Sequence, residues 1–204
     1  KLSSRRSRHS SRVRPPQSRG HLAVPDAELL RRWERAAERI SWQRRWDALY
    51  EPGPCGGKWF SGAMLNAAEN CVDRHMPELS AKVALHWEGE PGDRRSITYG
   101  GLSADGFAFA SALRALGIGR GDRVALYMGL LPETVVAMLA CARLGAVHAL
   151  MAAALPADAL ADRLADLRPK ALVTQDGAWR HGVIVPLKAR ADEAPETIRG
   201  GRSP

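Results

Sequence analysis

Cys71 and His75 stand four residues apart with Asp73 between them, and that interval brings two side chains to one face of a helix. A thiol beside an imidazole can act as nucleophile and base, or the pair can begin a metal site. Two ligands do not make a site, however, so a structural role is expected. The six tryptophans, Trp33, Trp42, Trp46, Trp59, Trp87 and Trp179, invite a second reading, because Trp42 and Trp46 lie among arginines and could stack nucleic-acid bases. Helix-spaced aromatics beside arginines more commonly mark an amphipathic helix packed on a core, and that reading is preferred. His148, inside an apolar run, reads as a hydrogen-bonded core residue. No Gly-x4-Gly-Lys run and no Thr/Ser/Gly cluster ending in Lys occurs, so the sequence shows no loop built to cradle nucleotide phosphates.

The elements that must position these residues follow from periodicity. From Asp26 the pattern is helical, with Leu29, Leu30, Trp33, Ala37 and Ile40 on one face. Ser41 is expected to cap a second short helix carrying Trp42 and Trp46, and residues 51–57 break all regularity. Leu65 to His75 reads as a further helix ended by Pro77, and 83–87 with 95–98 as a hairpin. Thr98 should cap a helix to about Leu116, with Leu102, Phe109, Leu113 and Leu116 inward. Then strands at 123–128, 146–151 and 170–174 alternate with helices at 132–145 and 157–167. Val124, Leu126 and Met128 are expected inward on the first strand, Val135, Met138, Leu139 and Ala142 on the first of these helices, and Leu160, Leu164 and Leu167 on the second. Strands and helices alternating over short links predict parallel pairing.

The formal charge of the 204 residues is +8, but its location matters more than its size. Residues 1–25 hold Lys1, Arg5, Arg6, Arg8, Arg12, Arg14 and Arg19 and no acid. Removing those seven from the 30 Lys and Arg leaves 23 against 22 acidic residues, a net of +1. Nucleic-acid binding is therefore not expected outside this Ser- and Arg-rich tail, which lacks hydrophobic periodicity and reads as disordered. An Arg-rich, acid-free start also fits an organelle transit peptide. Three cysteines without a CxxC pair point to a reducing compartment, and a cytoplasmic location is expected. No apolar run reaches the roughly 18 residues of a membrane span.

Several segments together resemble the acetyl-CoA synthetase branch of the adenylate-forming ligases. They are Lys58-Trp-Phe-Ser-Gly62, Leu65-Asn66, Asn70-Cys-Val-Asp-Arg-His75 and Trp87-Glu-Gly-Glu-Pro-Gly-Asp93. Further on come Ile97-Thr-Tyr99, Gly121-Asp-Arg-Val-Ala125, Pro132-Glu133, Val136 to Arg143, Gly145-Ala146, Asp176-Gly177, Arg180 and Leu187-Lys188. The Lys-Trp-Phe and Asn-Cys-Val-Asp-Arg-His segments are specific to the acetate and propionate type.

The resemblance implies an α/β fold: an N-terminal helical segment, then an incomplete open, largely parallel sheet with flanking helices. The expected division is a disordered tail over 1–25, a helical segment over 26–80, an α/β subdomain over 81–190 and a disordered end over 191–204. In the family, the phosphate loop, the adenine and ribose contacts and the adenylating lysine lie downstream of the position of Pro204. ATP and Mg are thus expected only of the full-length family, and these 204 residues alone are expected to be an inactive fragment. What the resemblance places here is part of a coenzyme A site, with Arg180, His181 and Gly182 at the turn that contacts CoA.

Three departures bear on that site. Val183 stands where the family has a second arginine, Ala153-Ala154 where it has Gly-Gly, and Pro156 where it has serine. Alanine in place of a glycine of positive φ is expected to strain the turn by about 1 kcal/mol. Thr98-Tyr-Gly-Gly101 also lacks the acidic partner of the family's capping box, and with Gly106 it gives a glycine-relaxed helix. The alternatives to an acetate–CoA ligase fragment are a propionate–CoA ligase fragment and a non-catalytic remnant that binds CoA or a partner. Oligomeric state is left open.

Overall fold

The computed structural model describes residues 24–53 and 56–200, with side chains described through Ala194. The expected disordered tail therefore lies outside the described residues, apart from Val24 and Pro25, as does Cys55. The described chain divides into two units, one of residues up to Arg39 with Arg45–Ala63, the other of Ile40–Arg44 with everything from Met64.

In the first unit, α1 (Ala27–Ala37) begins where the Asp26 carboxylate accepts the N–H of Leu29 at 2.8 Å. This satisfies one of the unpaired donors of the first turn. β1 (Ala48–Glu51) and β2 (Lys58–Ser61) then pair antiparallel, with Tyr50 opposite Trp59. The expected helix from Ser41 through Trp46 does not form. Trp46 instead packs edge-on against Phe60, ring centroids 5.2 Å apart, and Trp59 lies between Trp33 and Tyr50 at 5.7 and 5.0 Å. Aromatic residues suit a pleated surface, and cross-strand pairing overrides a local helical signal. The segment over 26–80 is thus mixed helix and strand rather than helical.

In the second unit, β3 (Val83–Glu88) and β4 (Arg94–Thr98) form the expected antiparallel hairpin. Thr98 caps α3 (Tyr99–Ala115), its hydroxyl oxygen accepting the N–H of Gly101 at 3.1 Å. Thr98→Ala should cost about 1 kcal/mol. Thermal unfolding followed by circular dichroism should show it as a lower midpoint, which Thr98→Ser restores. Leu102 and Leu113 are buried as expected, but Leu116, the C-cap, is 71% exposed. Gly100 has a reason beyond relaxation: a Cβ there would lie 2.5 Å from the Ser80 hydroxyl and 3.1 Å from the Ser80 carbonyl oxygen. Its N–H donates to that same carbonyl at 3.0 Å, so the close backbone approach favours glycine.

The core is an α/β/α layer. β5 (Arg123–Met128) is central, flanked by β6 (Val147–Ala152) and β7 (Ala171–Thr174), both parallel to it, in the order β6-β5-β7. Every residue of Val124–Met128 is buried, not just the alternate set Val124, Leu126 and Met128. Helices on both faces account for this. Val124 and Leu126 pack with α3 and with Ala137, Ala140 and Cys141 of α4 (Pro132–Leu144). Ala125 and Tyr127 pack with Leu160 and Leu164 of α5 (Ala157–Leu167) and with Leu187, Ala191 and Ala194 of α6 (Leu187–Gly200).

Three expectations are corrected here. On α4 the buried stripe is Thr134, Ala137, Ala140 and Cys141, while Val135, Met138, Leu139 and Ala142 are half-buried. Small side chains let that helix approach the strand. The end over 191–204, expected to be disordered, is helical as far as Gly200, because Ala191 and Ala194 continue the apolar face begun by Leu187. The helix expected over 65–75 is α2 (Ala67–Cys71) followed by a single 3-10 turn, Asp73–His75.

Candidate functional site

The carboxyl ends of parallel strands are where open α/β sheets bind ligands, at the point where connections leave toward opposite faces. Here β5 leads to α4 on one face of the sheet and β6 to α5 on the other. A cleft of about 570 Å³ opens there, lined by Gly129 and Leu130 after β5, Ala153 after β6 and Gln175 after β7. Two hairpins complete the wall: β3–β4, through Trp87 and Glu90, and β8 (Ala178–Arg180) with β9 (Val183–Val185), through Trp179, Arg180 and His181.

The floor is fixed by hydrogen bonds. The Gly129 N–H donates to Gln175 Oε1 at 2.7 Å, and Gln175 Nε2 donates to the Gly177 carbonyl at 2.7 Å. Thr134 donates to the Gly129 carbonyl at 2.7 Å and Thr174 to that of Tyr127 at 2.9 Å. Trp87 Nε1 donates to the Leu130 carbonyl at 2.6 Å and ties β3 to the loop leaving β5. Arg95 of β4 adds an ion pair to Glu133 at 2.7 Å.

Arg180, His181 and Gly182 come together as one structure. β8 and β9 pair antiparallel with Arg180 opposite Val183, so His181 and Gly182 are a two-residue hairpin loop. Both have positive φ, 52° and 78°, the signature of a type I′ turn. Glycine carries that conformation without strain, and histidine tolerates it better than a branched residue. Arg180 is exposed at the cleft and makes no ion pair among the described residues. The Gly182 N–H is engaged: it donates to Glu90 Oε1 at 2.5 Å.

Ala153 lies in the same cleft, in the turn after β6, while Ala154 beside it is exposed. Neither has a positive φ, so the strain expected of alanine at these positions does not arise. The turn is closed by the Leu155 N–H donating to the Ala152 carbonyl at 3.0 Å. The Leu155 carbonyl in turn accepts from the Tyr127 hydroxyl at 2.7 Å and from Arg190 at 3.3 Å. Pro156 is the N-cap residue of α5 and offers no side-chain bond.

The other candidates resolve into packing. Asp73 pairs with Arg143 and accepts the Ser103 hydroxyl, and His75 packs at a tilt of 59° against Tyr99 with centroids 5.1 Å apart. Cys71 is exposed, and among the described residues no three His, Cys, Asp or Glu side chains gather in a way that could hold a metal. Burial pushes the Cys141 thiol up to about 11, so it stays protonated at neutral pH. The Gly119 N–H, then the Lys170 ammonium, holds the Asp122 carboxyl below its ordinary value in the turn that enters β5. His148 is half-buried on β6, an edge strand whose Val147 and Leu150 are about half exposed. Among the described residues no helix is long and apolar enough to cross a membrane.

Sequence reasoning did not single out Glu90, Gln175 or Trp179 as cleft residues. Glu90 sits inside a motif that was recognised, and its pairing with a turn 92 residues away left no local signal. Gln175, directly after β7, carried only its position at a strand end.

Comparison with known proteins accords with the fold. Residues 72–200 match the family described as AMP-binding enzyme, and residues 31–71 match the acetyl-coenzyme A synthetase N-terminus. The chain is 47% identical to the acetyl-coenzyme A synthetase of Gemmatimonas aurantiaca over 79% of its own length and 25% of that protein's. It is 45% identical to that of Mycobacterium tuberculosis over 93% of its length and 31% of the relative's. Against that of Streptomyces coelicolor it is 43% identical over 83% and 26%. The chain thus spans about a quarter to a third of these relatives. It belongs to the AMP-binding enzyme family, on the acetyl-coenzyme A synthetase branch, and corresponds to the N-terminal portion of those proteins.

Proposed function

We propose that the chain serves an AMP-forming acetate–CoA ligase, as scaffold and as the wall that faces coenzyme A. In that reaction acetate attacks ATP to give acetyl-AMP and pyrophosphate. The CoA sulfur then attacks the acyl carbon, AMP leaves, and the thiol proton is lost. The observation that carries the reading is the gathering of Arg180, the His181–Gly182 turn and Ala153 at the carboxyl ends of the parallel strands. An exposed guanidinium there suits a phosphate of the CoA nucleotide, and the half-exposed ring of Trp179 beside it offers a stacking face for adenine. The proposal assigns no ATP or Mg contact to these residues and has the 204-residue chain make no acetyl-CoA by itself. A cytoplasmic setting belongs to the same proposal and is supported by the three unpaired-spacing cysteines.

Titration calorimetry of the 204-residue chain tests the wall. CoA should bind, and Arg180→Ala should weaken it on the order of tenfold, as loss of one charge-assisted contact implies. No heat with millimolar CoA would remove the CoA role and leave a partner-binding one, a reading favoured by the engagement of the Gly182 N–H. Acetyl-CoA formed from acetate, ATP and CoA by this chain alone would overturn the assignment of catalysis to other segments.

A further inference from the structure

The β8–β9 turn already holds an anion. Its Gly182 N–H donates to Glu90 Oε1 at 2.5 Å, and Glu90 reaches it from the β3–β4 turn, across the sequence but within one cleft. Glu90 is exposed and makes no ion pair among the described residues. The neighbouring Glu88 differs, since Arg94 pairs with it at 3.0 Å. Chemically, a carboxylate oxygen on a backbone N–H beside an arginine is what a phosphate oxygen would be in the same place.

We propose that Glu90 is a specificity-determining competitor for the ligand's phosphate: it fills the anion position of the His181–Gly182 turn, and a phosphate enters as the carboxylate leaves. The proposal rests on the CoA reading above and adds a residue that acts against binding. A carboxylate brings one charge and two oxygens, whereas a phosphate monoester brings nearly two charges and three. A phosphate therefore displaces Glu90 together with Arg180, and a neutral or singly charged group gains too little to do so. The cleft in this way discriminates in favour of phosphate-rich ligands at a cost in affinity for all of them.

The test uses calorimetry on the 204-residue chain with two probes, CoA and inorganic pyrophosphate, against wild type, Glu90→Ala and Glu90→Gln. Glutamine keeps an accepting oxygen on the Gly182 N–H and removes the charge. Glu90 is an exposed turn residue, and matching circular dichroism melts will show that the variants fold. Affinity for CoA should rise about twofold to fivefold in both variants, the upper part of the range expected for an exposed charged contact. Adding Arg180→Ala to Glu90→Ala should abolish the gain. Equal or weaker CoA binding in the variants would overturn the competitor and leave the CoA reading standing. A gain for pyrophosphate on Glu90→Ala with no CoA binding by any variant would uphold the competitor and overturn the CoA reading. If neither probe binds any variant, both fall.

Discussion

Tyr127→Ala should destabilise the chain by about 4 kcal/mol, the upper part of the range for truncating a buried aromatic residue. Tyr127 is fully buried on the central strand, between β6 and β7, and its ring belongs to the cluster formed with α5 and α6. Its side chain also spans two parts of the site. The hydroxyl donates to the Leu155 carbonyl at 2.7 Å and holds the turn after β6, where Ala153 meets the cleft. Tyr127→Phe separates the two contributions. It keeps the ring and leaves the Leu155 carbonyl with Arg190 as its remaining donor, so the loss should be about 1 kcal/mol. Urea unfolding checks both: the midpoint should fall steeply for alanine and slightly for phenylalanine, with unchanged slope for the latter. A loss near 1 kcal/mol for alanine would mean that the α5–α6 layer does not pack on this strand.

The prominence of Tyr127 shows where the sequence was legible and where it was not. Strand-helix alternation from Arg123 to Thr174 placed β5, α4, β6, α5 and β7 in order and predicted their parallel pairing. Alternation within β5 misled, because a strand covered on both faces has no polar face to mark the period, and Tyr127 carries its one polar atom to a distant carbonyl. The same loss of contrast hid the inward stripe of α4, where Ala137 and Ala140 are buried and larger neighbours only half so. The burial of small side chains is set by how closely two elements approach, which is a property of the pair. Trp42 and Trp46 failed for another reason: Arg44, between them in sequence, bridges Met64 antiparallel, and a seven-residue window cannot see that partner.

The site divides along the same line. Arg180, His181 and Gly182 were singled out through the family resemblance, and the structure makes the last two a tight loop of positive φ. What turns a hairpin into a wall was not legible. Gln175 on the Gly129 N–H, Trp87 on the Leu130 carbonyl and Glu90 on the Gly182 N–H join residues 43 to 92 positions apart. Polar groups that meet only in the folded chain leave no spacing to read.

Asp73→Ala is expected to cost about 3 kcal/mol, because it leaves a largely buried guanidinium without its counter-charge. The Arg143 side chain is 14% exposed and that of Asp73 23%. Both guanidinium amino groups donate to the carboxylate, Nη2 to Oδ1 at 3.0 Å, and the Ser103 hydroxyl donates to Oδ1 at 3.2 Å. The guanidinium also lies 3.7 Å from the centroid of the Phe107 ring. Its Nε is buried with no hydrogen-bond partner among the described residues, so the carboxylate and the ring carry the whole compensation for its desolvation. The pair joins the 3-10 turn after α2 to α3 and α4, and Asn66, the cap of α2, donates to the Ala142 and Arg143 carbonyls at 3.1 and 3.2 Å from the other side. Asp73→Asn keeps the shape and one accepting oxygen, so it should lose less than alanine. Arg143→Ala should cost as much as Asp73→Ala, and the double substitution little more than either, giving a coupling approaching about 3 kcal/mol in a double-mutant cycle. Additive losses would show that Asp73 and Arg143 are held in place independently. A strong coupling would make Asp73 the residue through which the Asn-Cys-Val-Asp-Arg-His segment fastens to the helical layer of the sheet, which is why its thiol and imidazole need no catalytic role to account for them.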